Sequence, residues 1–274
     1  VDDLSSQIGG TPETSYDAYK KFLSAHWGYD DFVPETQAPA IDAIRTRDAD
    51  VLVTLPTGAG KSVVFQVPAL YRGLISRKLT IVISPLRQLM RDQVENLWER
   101  KFGQSVEYLT AERPWHELEE VYQGILDHRV TLIYVAPERF RNRKFISTIT
   151  RRSDRDDGFE FIVIDEAHCV NQWGYEFRPD YIFAVELIVK NFRNDSAPNP
   201  PPFIMLSATV TAPTKHNLEI ITEGHLPNKR PFEFKVKPEG YWHPVRQHIT
   251  PTPENVLGSI NARDPEEWDI DSRI

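Results

Sequence analysis

VLVTLPTGAGKS, at residues 51–62, is an apolar strand followed by a glycine-rich turn that ends in Gly-Lys-Ser. Glycines allow successive backbone N–H groups to converge on one anion, and a helix that begins near Lys61 adds its positive N-terminal dipole. The Lys61 ammonium can then reach the β- and γ-phosphates of a nucleotide, and the Ser62 hydroxyl can bind Mg²⁺. The stretch therefore predicts a phosphate-binding loop. Its predicted nucleotide-binding residues are Thr57, Gly58, Ala59, Gly60, Lys61 and Ser62.

One position of this loop departs from the usual pattern. The strict pattern begins with Gly, and this chain has Leu55 there. The loop length is still right, because four residues separate Leu55 from Gly60, and apolar residues flank the turn on both sides. The alternative is a surface turn that contains Gly-Lys-Ser by chance.

The bulk composition is that of an ordinary globular protein. The 274 residues suit one large domain or two small ones, and 40% of them are hydrophobic and 26% charged. No apolar run has membrane-spanning length, and residues 1–4 (VDDL) do not resemble the start of a signal peptide. We therefore expect an intracellular protein, in the cytoplasm, nucleus or nucleoid, without a membrane partner. The chain does not begin with Met, which suggests a fragment or a processed chain.

Cysteine content and net charge narrow the classes further. The single cysteine, Cys169, excludes an internal disulfide and a multi-cysteine zinc site, and we expect it to be a small buried residue. The net charge of −8 argues against a generally basic nucleic-acid-binding surface. A local basic cleft remains open, because the chain has 32 Lys and Arg residues.

Short apolar segments alternate with amphipathic ones along most of the chain. This alternation predicts an α/β fold, with a mostly parallel sheet covered by helices on both faces and with ligands at the carboxyl ends of the strands. The predicted strands are Asp50–Leu55, Leu79–Ser84, Val106–Leu109, Thr131–Val135, Phe161–Ile164 and Phe203–Leu206, with a further candidate at 232–236. The predicted helices include Tyr16–Trp27, Gln37–Arg47, Leu86–Phe102 and Trp115–His128.

Changes in composition predict the domain boundaries. Residues 1–15 are polar and are expected to be a flexible lead. The α/β pattern fills residues 16–225, which we predict to be one nucleotide-binding domain. Residues 226–274 lose the alternation, and from Thr250 onward they are rich in Pro, Asn, Asp and Glu, which predicts an extension or the start of a linker.

FIVIDEAH, at residues 161–168, is a second apolar strand that ends in acidic residues. It follows the glycine-rich loop by roughly a hundred residues, as expected for the acidic partner of a phosphate-binding loop. Asp165 at the strand end can hold Mg²⁺ beside Ser62, and Glu166 can polarise the attacking water. The alternative is that the two acidic residues cap the following helix.

Several segments resemble one family of motor proteins. PTGAGKS (56–62) and IDEAH (164–168) resemble the superfamily 2 helicases of the DEAD/DEAH type. Three further segments resemble motif Ia, the motif Ib region and the aromatic-rich loop of the RecQ DNA helicases, and Ser-Ala-Thr matches helicase motif III. These are ISPLRQLMRDQ (83–93), YVAPERF (134–140), CVNQWGYEFRPDY (169–181) and SAT (207–209). The resemblance covers roughly residues 19–212 and implies a RecA-like P-loop NTPase domain, the first of the two in such helicases.

The aromatic-rich loop is the most specific of these segments. Trp173, Phe177 and Tyr181 offer flat faces on which bases can stack, and Arg178 adds a cation for the phosphate chain. The resemblance implies that this loop, with Gln172, couples DNA binding to hydrolysis. It also implies DNA contacts in motifs Ia and Ib, at Ser84, Pro85 and Arg139. The alternative is that the aromatic residues anchor a helix start in the core.

WGYDDFVPETQ (27–37) resembles the adenine-recognition motif of the family. The Gln37 amide can pair with a donor and an acceptor of adenine, and Tyr29 can stack on the ring. Two departures from the family pattern are Val33, where Arg is usual, and a spacing from Phe32 to Gln37 that is one residue too long. An ordinary helix-start Gln is the alternative.

The resemblance also assigns catalytic and coupling roles. His168 is expected to link Asp165 and Glu166 to motif III, at Ser207 and Thr209. A lone core histidine is the alternative for His168. The implied catalytic residues are Lys61, Asp165, Glu166 and His168.

The resemblance implies an ATP-dependent DNA helicase that uses ATP and Mg²⁺ and moves 3′-to-5′ on single-stranded or forked DNA. Such helicases need a second RecA-like domain, for which the 65 residues after Thr209 are too few. We therefore expect a second domain that this chain does not contain. Two alternatives remain open: an RNA-remodelling ATPase with the same core, and a non-enzymatic helicase-like docking module.

Overall fold

The computed structural model describes residues 12–110, 112–156, 158–171, 179–193, 199–223 and 232–234. Within these residues seven strands form a single sheet in which every pair of neighbours is parallel. The strands are β1 (Asp50–Thr54), β2 (Thr80–Ile83), β3 (Val106–Leu109), β4 (Leu132–Val135), β5 (Ile162–Ile164), β6 (Phe203–Ser207) and β7 (Phe232–Phe234). Their order across the sheet is β3-β4-β2-β5-β6-β1-β7.

Eight α-helices connect and cover these strands within the described ranges. They are α1 (Tyr16–Trp27), α2 (Gln37–Arg45), α3 (Lys61–Ser76), α4 (Arg87–Leu97), α5 (Trp115–Leu126), α6 (Arg143–Asp156), α7 (Pro179–Phe192) and α8 (Ala212–Glu223). Single helical turns of other types occur at Trp98–Phe102, Pro137–Arg141 and Ala167–Asn171.

Helices lie on both faces of the sheet. Alternate residues of each strand point to opposite faces, and each set packs against the helices on its own side. Val51 and Val53 pack in one apolar cluster with α1, α2, α3 and α4. Leu52, between them, packs in the other cluster with α5, α6 and α7. The predicted α/β fold with a parallel sheet and two helical layers is therefore confirmed. Each of the six main predicted strands agrees with an observed one to within one residue at either end.

The predicted helix from Leu86 to Phe102 is shorter than expected. It begins at Arg87, and its regular part ends at Leu97, where a single widened turn follows. Lys101 in that turn has a φ of 71°, which stops the helix. The widened turn buries Phe102 and lets the Trp98 indole donate a hydrogen bond to the Val106 carbonyl over 2.8 Å. Tertiary packing thus overrides local helix propensity here.

The carboxyl edge of the sheet collects most of the residues that the sequence singled out. β2, β5, β6 and β1 are neighbours, so the segments that leave them meet at one edge. The glycine-rich loop follows β1, Ser84 follows β2, Asp165 follows β5, and Ser207 ends β6. Ligands of open parallel sheets bind at this edge.

The opposite, amino edge is held by two buried ionic groups. Glu160, just before β5, is bonded to Arg72 of α3, and Arg47 lies beside it. Asp50, at the start of β1, accepts hydrogen bonds from the Arg193 guanidinium at 2.9 Å and from the Phe203 N–H at 2.7 Å. No helix in the described part of the chain has the length and apolar character needed to cross a membrane.

Candidate functional site

The glycine-rich loop leaves β1 and runs directly into α3. Leu55, where Gly is usual, is fully buried, and its N–H donates to the Ser207 carbonyl over 3.2 Å. This position therefore belongs to the sheet. Gly58 and Gly60 have φ values of 82° and 74°, in the left-handed region that side chains disfavour. Gly60 caps α3, so Lys61 and Ser62 occupy its first turn, where N–H groups have no carbonyl of the same helix to bond.

Gln37 lies against this loop. Its Oε1 accepts a hydrogen bond from the Val33 N–H at 3.1 Å, and its Nε2 donates to the Ala59 carbonyl at 3.2 Å. A Cβ atom on Gly60 would lie only 2.4 Å from the Gln37 Nε2, so a larger residue there would push the Gln37 amide out of this position. Both ends of the amide are thus engaged by backbone. Each end keeps the capacity for one further hydrogen bond, which adenine recognition requires.

Tyr29, the other predicted adenine contact, is 57% exposed in the connection between α1 and α2. Asp31 fixes this connection to α1, because its carboxylate accepts from the Tyr16 hydroxyl at 2.9 Å and pairs with Lys20 at 2.6 Å. Phe32 is buried, whereas Val33, where the family pattern has Arg, is 43% exposed. The structure therefore leaves the Tyr29 ring open to solvent.

Asp165 lies at the end of β5 and has close polar neighbours. Its carboxylate accepts from the Ser84 hydroxyl at 3.0 Å and from the Glu166 N–H at 3.1 Å, and its carbonyl accepts from the Tyr181 hydroxyl. Burial, followed by the negative charge of Glu166, raises the pKa of Asp165 to about 6. The Ser84 side chain, a predicted DNA contact, is buried and directed at Asp165.

Glu166 connects the two motifs. Its carboxylate lies 4.0 Å from the Lys61 ammonium and 3.2 Å from the His168 Nδ1. The hydrogen bond from His168, assisted by the charge of Lys61, holds the pKa of Glu166 below its usual range. Glu166 has a φ of 50°, which is rare for a residue with a side chain and is typical of functional sites.

His168 links the acidic strand to motif III. Its Nδ1 is 3.2 Å from the Ser207 hydroxyl, and that hydroxyl donates to the Thr209 carbonyl at 2.7 Å. Hydrogen bonds to Cys169 and to Glu166 raise the pKa of His168 to about 10. The predicted link from Glu166 through His168 to Ser207 and Thr209 is therefore present in the geometry. Cys169 is a buried free cysteine, as expected.

Not all the predicted residues meet at this point. Arg139 lies on the turn after β4, where its guanidinium donates to the Tyr122 hydroxyl at 2.6 Å. Pro85 follows Ser84 beyond β2. Gln172, Trp173, Phe177 and Arg178 lie outside the described residues. The sequence groups Tyr181 with the aromatic residues on which bases can stack. The structure instead buries the Tyr181 ring, and its hydroxyl donates to the Asp165 carbonyl, a role that the sequence did not indicate.

The donors at this edge suit a hard cation. The part of the chain that the structure describes has no cluster of three or more His, Cys, Asp or Glu residues that could hold a metal alone. Ser62 and Asp165 supply a hydroxyl and a carboxylate, the oxygen ligands of Mg²⁺, which also binds substrate phosphates. Burial raises the pKa of Asp165, and a cation bound nearby would lower it again.

A parallel sheet with a Gly-Lys-Ser loop facing an Asp-Glu pair defines the class of P-loop nucleotide-binding domains. The chain belongs to the DEAD/DEAH box helicase family, which it matches over residues 35–217.

Relatives narrow the similarity to RecQ-type helicases, as the sequence predicts. The chain is 35% identical over 181 residues to the ATP-dependent DNA helicase Q5 of Rattus norvegicus, covering 65% of this chain and 18% of that protein. It is 38% identical over 160 residues to the ATP-dependent DNA helicase RecQ of Pasteurella multocida, covering 58% and 23%. It is 32% identical over 192 residues to the ATP-dependent DNA helicase RecQ of Bacillus subtilis, covering 70% of this chain and 29% of that protein. The chain thus spans less than a third of the length of these relatives.

A solved structure gives the same fold. The DUF1998 helicase MrfA bound to DNA and AMPPNP superposes with a TM-score of 0.62 at 19% identity, covering 83% of this chain and 30% of that one. At this identity the likeness concerns the fold alone.

Proposed function

We propose that this chain is the first motor domain of a RecQ-like, ATP-dependent DNA helicase. The single observation that carries the proposal is the meeting of Lys61 with Glu166 beside Asp165, at the carboxyl edge of a parallel sheet. The relatives named ATP-dependent DNA helicases support it. ATP is the proposed substrate, and single-stranded or forked DNA is the proposed track.

The proposed chemistry assigns one task to each group. Backbone N–H groups of the loop and the Lys61 ammonium bind the triphosphate. Ser62 and Asp165 would hold Mg²⁺, which when bound neutralises charge on the β- and γ-phosphates. The Glu166 carboxylate orients a water molecule toward the γ-phosphate and takes up its proton. With its pKa held below its usual range, Glu166 is ionised at neutral pH, and its carboxylate can accept a hydrogen bond from that water.

The proposed coupling route runs from Glu166 through His168 to Ser207 and Thr209. The His168 Nδ1 lies 3.2 Å from both the Glu166 carboxylate and the Ser207 hydroxyl, and these two contacts support this role. The aromatic-rich loop follows His168 directly, so a change in that loop on DNA binding would act on the same carboxylate. We therefore expect Trp173→Ala to remove DNA stimulation while nucleotide binding persists. DNA stimulation that survives this change would contradict the assignment of the loop.

A second RecA-like domain is the proposed partner in hydrolysis. In related phosphate-transferring enzymes an arginine supplied across the cleft raises the rate by about 10³–10⁵. We expect the present chain alone to bind Mg-ATP and to hydrolyse it slowly. Turnover by this chain at the rate of an intact helicase would contradict that expectation.

The decisive experiment measures ATP hydrolysis by this chain and by its longest native parent, with and without single-stranded DNA. Strong DNA stimulation in the parent that is lost on Lys61→Ala supports the DNA motor. Stimulation by RNA but not by DNA of equal length would favour the RNA-remodelling alternative. ATP binding without hydrolysis under any of these conditions would favour the docking module.

A further inference from the structure

The carboxyl edge of the sheet continues beyond the nucleotide site, toward the edge strand β3. Helices α5, α6 and α7 each follow a parallel strand and begin at this edge. The turn Pro137–Arg141 lies between β4 and α6. The surface that these elements share therefore lies at the same carboxyl edge of the sheet as the glycine-rich loop.

The chain concentrates positive charge in this region. Residues 139–144, before and at the start of α6, contain four Lys or Arg residues and no acidic residue, although the whole chain has a net charge of −8. Arg151 and Arg155 lie further along α6, toward the amino edge of the sheet. Arg152 is buried, where its guanidinium bonds carbonyl groups. Arg141 and Arg143, by contrast, are exposed near the start of α6. This is the local basic surface that the overall acidity of the chain obscures.

An open groove of about 470 Å³ lies among the turn, α6 and α7. Its lining combines apolar and cationic side chains. The Arg141 guanidinium lies over the Phe183 ring at 4.5 Å from its centroid, and it is ion-paired with Asp180. The Arg141 side chain is still 55% exposed, so the outer face of this stacked pair is open to a further flat group. The lining residues are Phe140, Arg141, Arg143, Ile146, Ser147 and Phe183.

A second stacked group lies between α5 and the start of α6. The Lys144 ammonium is 4.5 Å from the centroid of the Trp115 ring and 5.3 Å from that of Tyr122. Trp115 is 65% exposed, which is unusual for so large an apolar side chain. The Tyr122 hydroxyl accepts a hydrogen bond from Arg139, the predicted motif Ib contact. The second stacked group is thus hydrogen-bonded to Arg139, which lies two residues before Arg141 in the same turn.

We propose that these stacked groups form a binding surface for single-stranded nucleic acid, which extends the track beyond motif Ib. A base stacks on the outer face of the Arg141–Phe183 pair, and the phosphate chain passes Arg143 and Lys144. Guanidinium planes and aromatic rings bind unpaired bases in this way, and cations track the backbone. Lys144 is ion-paired with Glu119, and Arg141 with Asp180. The three cations Arg141, Arg143 and Lys144 still outnumber these two carboxylates, and the net positive charge favours a polyanion. The proposal rests on the proposed DNA-motor function.

The test is equilibrium binding of a labelled oligothymidylate to the full chain, measured by fluorescence anisotropy over a range of salt concentrations. Phe183→Ala should weaken binding by about tenfold, the equivalent of one lost stacking contact. Arg143→Gln should reduce the slope of log affinity against log salt by about 0.7, the value for one phosphate contact to a single strand. Arg143 is exposed, so this variant leaves the core intact even if Phe183→Ala disturbs packing.

Arg151→Gln is the matched control. It removes the same charge from the same helix, about 12 Å further toward the amino edge of the sheet. This variant should bind the oligonucleotide as the wild type does, with the same salt slope. Wild-type affinity and slope in both Phe183→Ala and Arg143→Gln would overturn the proposal.

The outcomes separate this inference from the proposed function. If the wild type binds DNA and both groove variants do so equally well, the inference fails while the motor proposal stands. If the wild-type chain and its longest native parent bind no single-stranded nucleic acid, both fail. A protein partner on this surface would give the first of these results.

Discussion

The Lys61 ammonium group lies 4.0 Å from the Glu166 carboxylate, across the gap between the start of α3 and the end of β5. A triphosphate on the loop offers Lys61 a stronger partner, because several anionic oxygens then surround it. Lys61 would turn toward the phosphates and release Glu166 for its water molecule. The pair would therefore connect nucleotide binding to the proposed catalytic carboxylate within this one domain.

We expect Lys61→Ala to abolish ATP hydrolysis and to weaken ATP binding by about 10- to 100-fold. The estimate follows from the loss of charged hydrogen bonds to phosphate, worth about 1.5–3 kcal/mol. Binding of a fluorescent ATP analogue and steady-state hydrolysis measure the two effects. Lys21→Ala, which removes an exposed cation of α1, should change neither. Unchanged hydrolysis in Lys61→Ala would exclude the loop as the catalytic phosphate site.

We expect Glu166→Gln to separate binding from chemistry. Glutamine keeps the size of the side chain and can still bond His168, but it cannot accept the proton of water. Hydrolysis should fall by about 10²–10⁴-fold, the usual contribution of a general base. ATP binding should persist, as single-turnover and binding measurements on the same variant would reveal. A variant that hydrolyses ATP at the wild-type rate would leave Glu166 with a structural role only.

The hydrogen bond from Gln37 to the Ala59 carbonyl leads to a prediction that distinguishes two roles for this amide. If Gln37 mainly positions the loop, Gln37→Ala should weaken the binding of ATP and of GTP by similar factors. If it mainly reads adenine, the loss should be confined to ATP. The geometry favours a shared loss, because both ends of the amide are already bonded to backbone. Competition of both nucleotides for a labelled triphosphate measures the ratio, and a loss specific to ATP would contradict this expectation.

The strands and the loop were predictable because their signals are local. β1, β2 and β5 are short apolar runs, and parallel strands buried on both faces must be apolar throughout. Glycine at positions 58 and 60 is dictated by positive φ angles within the turn itself. The acidic residues after β5 were predictable because they directly follow an apolar strand segment in the sequence.

The missed contacts depend on packing between distant segments. Gln37 meets Ala59 because α2 packs beside α3, and Ser84 meets Asp165 because β2 and β5 are neighbours. No sequence period encodes such neighbours. The sequence left a local basic cleft open without placing it. Arg141 meets Phe183 only because α7 packs against the turn before α6.

Glu160 is the buried charge that joins the two motif-bearing elements at the far edge of the sheet. Its carboxylate accepts hydrogen bonds from Arg72 and, at 2.9 Å, from the Ser76 hydroxyl, and the Arg47 Nε lies 3.4 Å away. Arg72 and Ser76 belong to α3, which begins with Lys61, and Glu160 precedes β5, which ends at Asp165. The group thus ties the second half of α3 to the start of β5.

We expect Glu160→Gln to lower the free energy of unfolding by about 3–5 kcal/mol at neutral pH, because it leaves buried arginines without their counter-charge. Burial alone would raise the pKa of Glu160, but Arg47 and Arg72 outweigh it and hold the pKa below its usual value. A lowered folded-state pKa means that the stabilisation is fully present above the unfolded value, near 4.5, and is lost as the pH falls through the folded value. The difference between wild type and variant should therefore shrink as the pH falls below about 4.5. Urea unfolding at several pH values measures this difference in the free energy of unfolding. The control is Glu95→Gln on the exposed side of α4, which should stay within about 0.5 kcal/mol of wild type. A difference that is small at neutral pH, or constant down to acid pH, would show that Glu160 does not hold this edge by its charge.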